Sequence, residues 1–139
     1  MIDLLKDLNE PQREAVTTIE GPVMVIAGAG SGKTRALTYR VAYMIQEGVD
    51  PFSIMALTFT NKAAREMKER IMQLVNASDA RNVWMGTFHS IFARILRIEA
   101  EKIGFTPNFS IYDTDDSKAL ITQILKDLNI DTKVYPPKQ

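Results

Sequence analysis

Eight consecutive residues, Ala27-Gly28-Ala29-Gly30-Ser31-Gly32-Lys33-Thr34, have the types and spacing of a phosphate-binding loop, with Ala27 where the strict pattern has glycine. Glycines let successive backbone N–H groups curl around an anion, and the positive end of a following helix faces the same charge. The Lys33 ammonium would reach the β- and γ-phosphates of a nucleotide, and the Thr34 hydroxyl would be offered to Mg2+. The chemistry is binding of a nucleoside triphosphate with its magnesium.

Two neighbours bear on the same site. Asn9-x-x-Gln12 has the outline of a capping box, in which the Gln12 amide reaches back to the N–H of the cap. An amide can also pair with N6 and N7 of adenine, so Gln12 has a structural and a recognition reading. Arg35 is either a plain exposed helix residue or a guanidinium that stacks on a base and meets phosphate.

A second chemistry is written in two similar segments, Thr58-Phe59-Thr60-Asn61-Lys62 and Thr87-Phe88-His89-Ser90. Each lies where a strand should give way to a helix. Taken alone, each is a strand-to-helix turn: Thr60 and Asn61 cap a helix and Phe59 belongs to the core. The alternative is nucleic acid, with free N–H groups, a hydroxyl and an amide on the phosphate backbone and an aromatic ring stacking on a base. Lys62, Arg65, Lys68 and Arg70 add positive charge that Glu66 and Glu69 dilute. His89 is the only histidine, so a polyhistidine metal site is excluded. Trp84 reads as core.

These residues need an α/β scaffold, and apolar runs alternating with helical periodicity supply one. A short helix starts after Asn9, with Pro11 in its first turn. Pro22–Ala27 is a continuous apolar run suited to a strand buried on both faces. Leu37, Val41, Met44 and Ile45 follow at helical spacing until Gly48. Ile54–Phe59 is expected as a strand, Ala64, Met67, Ile71 and Leu74 as a helix, and Val83–Met85 as a strand. Ile91, Phe92, Ile95 and Leu96 mark a helix ending near Gly104. Phe109–Tyr112 is expected as a fourth strand and Ala119–Leu128 as a last helix. The tail Tyr135–Gln139 has the look of a linker, or of a chain cut before its next element.

With 139 residues, 45% apolar and 24% charged, the chain has room for one domain with a real core. It has no cysteine, which excludes a disulfide scaffold, a thiolate metal site and a cysteine nucleophile. No apolar run approaches the ~20 residues of a membrane span, and the start lacks the order of a signal peptide. A soluble intracellular domain is expected. Net charge is zero, but residues 33–97 carry ten basic and five acidic side chains, as a polyanion-binding face would need.

Four segments in order carry a resemblance: Leu8-Asn-Glu-Pro-Gln12-Arg-Glu-Ala-Val16, Ala27–Arg35, Leu57–Met67 and Gly86-Thr-Phe-His-Ser90. Together the chain resembles the N-terminal part of a UvrD/Rep/PcrA-type superfamily 1 DNA helicase. The resemblance implies a P-loop, RecA-like fold with a mainly parallel sheet flanked by helices. It makes Gln12 and Arg35 contacts of ATP, with capping a second role for Gln12, and places Thr58, Phe59, Thr60, Asn61, Lys62, Thr87, Phe88 and His89 on a single-stranded DNA track. The implied parent activity is ATP hydrolysis coupled to 3′-to-5′ movement on single-stranded DNA and duplex unwinding, in repair or replication, in the cytoplasm.

The family's Asp-Glu-x-x segment, which holds magnesium and activates water, has no counterpart, since no Asp-Glu pair occurs in the chain. Residues 1–112 are therefore expected as part of a first RecA-like domain and 113–139 as the start of a helical insertion. The other helicase domains of a parent chain would be its partners. Two rivals remain: a small P-loop phosphotransferase with Asp113 as metal ligand, for which a helix cap is the plainer role, and a nucleotide-binding module without turnover.

Overall fold

Five of the six α-helices among the described residues begin on a side-chain acceptor supplied at the right position. Asn9 caps α1 (Glu10–Thr17), Thr60 caps α3 (Asn61–Leu74), Asn76 caps α4 (Ala77–Asn82) and Asp113 caps α6 (Thr114–Asp127). The Thr87 hydroxyl accepts from the Ser90 N–H at 3.2 Å at the start of α5 (Phe88–Ile98). Each such cap satisfies an N–H that the helix itself cannot, and is worth about 1 kcal/mol. The exception is α2 (Lys33–Gln46), which starts on Gly32 in the left-handed region and has no side-chain cap.

The computed structural model describes residues 3–137, so the first two positions and the last two of the expected Tyr135–Gln139 linker lie outside it. The chain forms two compact units, Met1–Ile95 and Leu96–Gln139. In the first, β1 (Met55–Thr58) and β2 (Trp84–Thr87) pair in parallel, with Met55 opposite Trp84 and Thr58 opposite Thr87. Parallel neighbours need a crossover, and α3 with α4 provides it. Val41 of α2, Met67 and Ile71 of α3, Ala80 of α4, and Ile54, Ala56 and Val83 form one buried cluster around these strands. Periodicity found the large members of this cluster. It missed α4, which is too short and polar to show a stripe.

The two helices that flank the glycine loop pack on each other, burying Ala15 and Val16 of α1 and Ala36 and Ala42 of α2. The Arg40 guanidinium donates to the carbonyls of Ala15 and Thr18, groups that the end of α1 leaves without helical partners.

Three expectations are corrected. The run Pro22–Ala27 is not a strand among the described residues: the sheet has only β1 and β2, and Val23, Met24, Val25 and Ile26 are exposed. Apolar composition makes a segment suitable for burial, but a strand exists only through a hydrogen-bonded neighbour, and this segment has none. Phe109–Tyr112 is also not a strand. Its carbonyl at Phe109, like that of Pro107, accepts from the Arg97 guanidinium, which lies 4.9 Å from the centre of the Phe109 ring. Trp84 is half-buried rather than core, with the Arg94 guanidinium 4.6 Å above its ring.

In the second unit, Ala100–Ile103 forms a 3-10 turn closed by Gly104, and α6 follows. None of the α6 side chains is buried, including the expected apolar stripe of Leu120, Ile124 and Leu128.

The approach of α5 to β2 makes a measurable demand. A Cβ on Gly86 would lie 2.7 Å from Ser90 Oγ and 3.0 Å from Ile91 Cγ1, and Ser90 Oγ is itself bonded to the Thr87 carbonyl. Gly86→Ala is expected to destabilise the chain by about 1–3 kcal/mol, the usual cost of overpacking. Thermal denaturation checks this, and an unchanged melting temperature would show that α5 can shift freely.

Candidate functional site

The glycine loop is shaped from both sides. Ser31 Oγ donates to the Gly28 carbonyl at 2.7 Å, and Lys33 Nζ donates to the carbonyls of Ala27 at 2.7 Å and Gly28 at 2.6 Å. Gly30 and Gly32 take φ values of 76° and 85°. Beyond the loop, Lys33, Thr34 and Arg35 occupy the first turn of α2, whose N–H groups have no capping side chain. Thr34 is exposed at that end.

Gln12 performs its capping role and a further one. Its Oε1 accepts from the Asn9 N–H at 3.2 Å while Asn9 Oδ1 accepts from the Gln12 N–H at 3.0 Å, which is the complete capping box. Its Nε2 donates to the Ser31 carbonyl at 3.0 Å. One N–H and one lone pair of the amide are left over, which is the complement of an adenine edge. Gln12, Ser31, Lys33 and Ala36 line a cavity of about 230 Å³ between α1, α2 and the extended segment before the loop. Arg35 lies 4.0 Å from the exposed Asp7 carboxylate, and its guanidinium carbon is 5.3 Å from the centre of the half-buried Tyr39 ring. Neither Asp7 nor Tyr39 carries a motif signal in the sequence.

Magnesium has a thinner donor set. The Thr34 hydroxyl is available, but no group of three or more His, Cys, Asp or Glu side chains is gathered among the described residues. Asp113, the candidate metal carboxylate of the rival reading, has Oδ1 occupied by the N–H groups of Asp115 and Asp116, both at 2.8 Å. That is helix capping.

The second pair of motifs converges because the strands are parallel and in register. Thr58 and Thr87 sit opposite each other at the carboxyl ends of β1 and β2, so Phe59 and Phe88 leave the sheet side by side. Their ring centroids are 5.5 Å apart. Phe59 is 92% exposed, which contradicts the core reading of that residue. The hydroxyls are less free. Thr60 Oγ1 caps α3 by accepting from the Ala63 N–H, Thr58 Oγ1 donates to the Thr60 carbonyl, and Thr87 is buried with its hydroxyl bonded to Ser90. Asn61, Lys62 and His89 are exposed.

Charge sorts the helix starts. The first turns of α1, α4 and α6 contain Glu10, Asp79, and Asp115 with Asp116, which complement the positive end of the helix dipole. The first turns of α2, α3 and α5 contain no acid. They carry Lys33 and Arg35, Lys62, and His89 instead. These three helices are the ones that begin at the glycine loop and at the carboxyl edge of the sheet, so each presents an uncompensated positive end to an incoming anion.

Comparison with known proteins identifies relatives over nearly the whole chain. A family model described as the UvrD/REP helicase N-terminal domain matches residues 8–139. The ATP-dependent DNA helicase PcrA of Staphylococcus aureus (strain Mu50 / ATCC 700699) is 53% identical over 136 residues, 97% of this chain and 18% of that protein. The ATP-dependent DNA helicase PcrA of Staphylococcus epidermidis (strain ATCC 12228 / FDA PCI 1200) is 52% identical over the same shares. The chain thus spans 18% of the length of these curated relatives.

The glycine loop tolerates no side chain at position 32 for two separable reasons. Its φ of 85° strains any other residue, and a Cβ there would lie 2.5 Å from Gln12 Nε2. Gly32→Ala is expected to cost more than about 1 kcal/mol of stability, the scale of a non-glycine residue held in the left-handed region. Adding Gln12→Ala should recover the steric part, so the double variant is less destabilised than the sum of the singles. Simple additivity in denaturation would show that the two side chains do not meet.

Proposed function

The chain belongs to the UvrD/REP helicase N-terminal domain family, and from that premise we propose that it is the ATP-binding N-terminal portion of a DNA helicase. Residues 1–112 are assigned to the first RecA-like domain and 113–139 to the beginning of a helical insertion, a functional division distinct from that of the compact units. The parent activity is ATP hydrolysis driving 3′-to-5′ movement along single-stranded DNA and duplex unwinding, in DNA repair or replication in the cytoplasm. Its partners are single-stranded and duplex DNA and the remaining helicase domains. The observation that carries the reading is the acid-free first turn shared by α2, α3 and α5.

At the first of these helix starts, Gly28, Ala29, Gly30, Ser31 and Gly32 hold the phosphates through their backbone, which is the Walker A role. Lys33 exchanges its bonds with the Ala27 and Gly28 carbonyls for phosphate oxygens, and Thr34 is the magnesium ligand. Gln12 takes the adenine with the half of its amide left outside the capping box, and Arg35 swings along the nucleotide. When bound, MgATP supplies the phosphoryl group and the charge that links hydrolysis to movement. At the other two helix starts, Phe59 and Phe88 stack on bases while Thr58, Thr60, Asn61, Lys62, Thr87 and His89 serve the phosphate backbone.

Three outcomes are expected. Lys33→Ala should abolish the rise in melting temperature that MgATP produces in the unaltered chain, read by differential scanning fluorimetry. An equal rise in both proteins would place the nucleotide elsewhere. Phosphate release by the 139-residue chain should stay at background with or without single-stranded DNA, because no Asp-Glu pair is present to hold metal and orient water. Binding to single-stranded DNA should be weak and salt-sensitive, as phosphate contacts from one face dictate. DNA-stimulated turnover lost on Lys33→Ala would reject the proposal that the chain alone is inactive.

A further inference from the structure

Phe92 lies outside every motif, and its helical spacing with Ile91, Ile95 and Leu96 reads as core. The structure separates them: Ile91 is 5% exposed and Phe92 is 48% exposed. Phe92 stands four residues after Phe88, on the same face of α5. The two rings are nearly parallel, with an interplanar angle of 8° and centroids 6.4 Å apart. Phe88 in turn meets Phe59 at 5.5 Å and 35°. Three phenyl rings therefore run in file from the middle of α5 to the carboxyl end of β1.

Such a file is unfavourable as plain surface. Phe59 follows the last residue of β1 with its ring almost wholly in water, and Phe88 is its aromatic neighbour. Left to itself, a side chain so exposed would sample several rotamers and lose entropy on meeting a ligand. A brace removes that loss beforehand. Phe88 is flanked by Phe59 and Phe92, so fixing Phe92 on the helix limits where Phe88 and then Phe59 can point.

Resting on the nucleic-acid reading of this edge, we propose that Phe92 is a positioning residue for single-stranded DNA. It braces Phe88, which holds the Phe59 ring ready to stack on an unpaired base. The occupant is a single strand, because a base within a duplex is already stacked on both faces and offers none to a ring at a protein surface. The charge agrees, since the acid-free first turns of α3 and α5, with Lys62 and His89, flank the rings and suit a phosphate backbone. Phe92 touches no nucleotide in this scheme.

The test measures binding of a fluorescently labelled oligodeoxythymidylate to the chain by anisotropy at low salt. Phe59→Ala should weaken binding about tenfold or more, on the scale of one lost base–aromatic stack. Phe92→Leu, which keeps an apolar side chain but removes the ring, should weaken it about threefold to tenfold, the scale of one lost aromatic pair, with an unchanged melting temperature. Phe92→Tyr should restore it. In a Phe59→Ala background, Phe92→Leu should have a smaller effect, because the brace then holds only the Phe88 ring. Unaltered affinity in Phe92→Leu, or an equal loss in both backgrounds, overturns the positioning role while leaving the nucleic-acid edge in place. Equal binding of a fully paired duplex overturns the choice of single strands. Failure of the unaltered chain to bind the oligonucleotide overturns the reading of the edge itself, and this role with it.

Discussion

One primary amide ties the start of α1 to the glycine loop. Gln12 completes the capping box of α1 through Oε1 and fastens the glycine loop at Ser31 through Nε2. The bond to Ser31 brings the amide against Gly32 so closely that only glycine fits there. Gly32 in the left-handed region then starts α2 without a side-chain cap, leaving its first N–H groups directed outward. Arg40 fixes the far end of α1 by donating to the carbonyls of Ala15 and Thr18. With α1 tied at one end to the loop and at the other to α2, the loop has little freedom to flatten.

The carboxyl edge of the parallel pair obeys a different rule. Its hydroxyls are consumed by the fold. Thr60 and Thr87 cap helices, Thr58 binds the Thr60 carbonyl, and Ser90 binds back to Thr87. Satisfying these groups is obligatory where backbone emerges from a sheet into a helix, since an unpaired buried donor costs about 1–3 kcal/mol. The aromatic rings are not consumed. Phe59, Phe88 and Phe92 remain outside although the chain has apolar clusters that accept other large side chains. The motifs therefore divide their labour: the hydroxyls make the turns, and the turns present the rings.

Electrostatics gives these starts a common character without any net charge on the molecule. Acids compensate the helix dipoles at α1, α4 and α6. They are withheld at α2, α3 and α5. Placing Lys62 or Lys33 at a positive helix end costs a few tenths of a kcal/mol to about 1 kcal/mol. A fold that withholds acids at three starts and supplies them at three others gives the two sets of turns different electrostatic character.

Local interactions explain what the amino-acid sequence by itself determined. Helix starts at Asn9, Thr60, Thr87 and Asp113, the glycine loop and the α2 and α3 stripes all depend on residues within a few positions of each other. The same is true of the capping box, which a four-residue pattern contains in full. Tertiary structure decided the rest. Pro22–Ala27 is apolar enough for a central strand, yet strand formation depends on a partner from elsewhere in the chain, and none is present among the described residues. Phe59 and Phe92 have the composition and spacing of core residues, and only the register of β1 on β2, with α5 leaving at Thr87, turns them outward. Gln12 reaching Ser31, nineteen positions away, is a contact that no periodicity encodes. Short-range patterns specify hydrogen bonds and helical faces, whereas exposure is a property of what packs nearby, and that is settled only when distant segments meet.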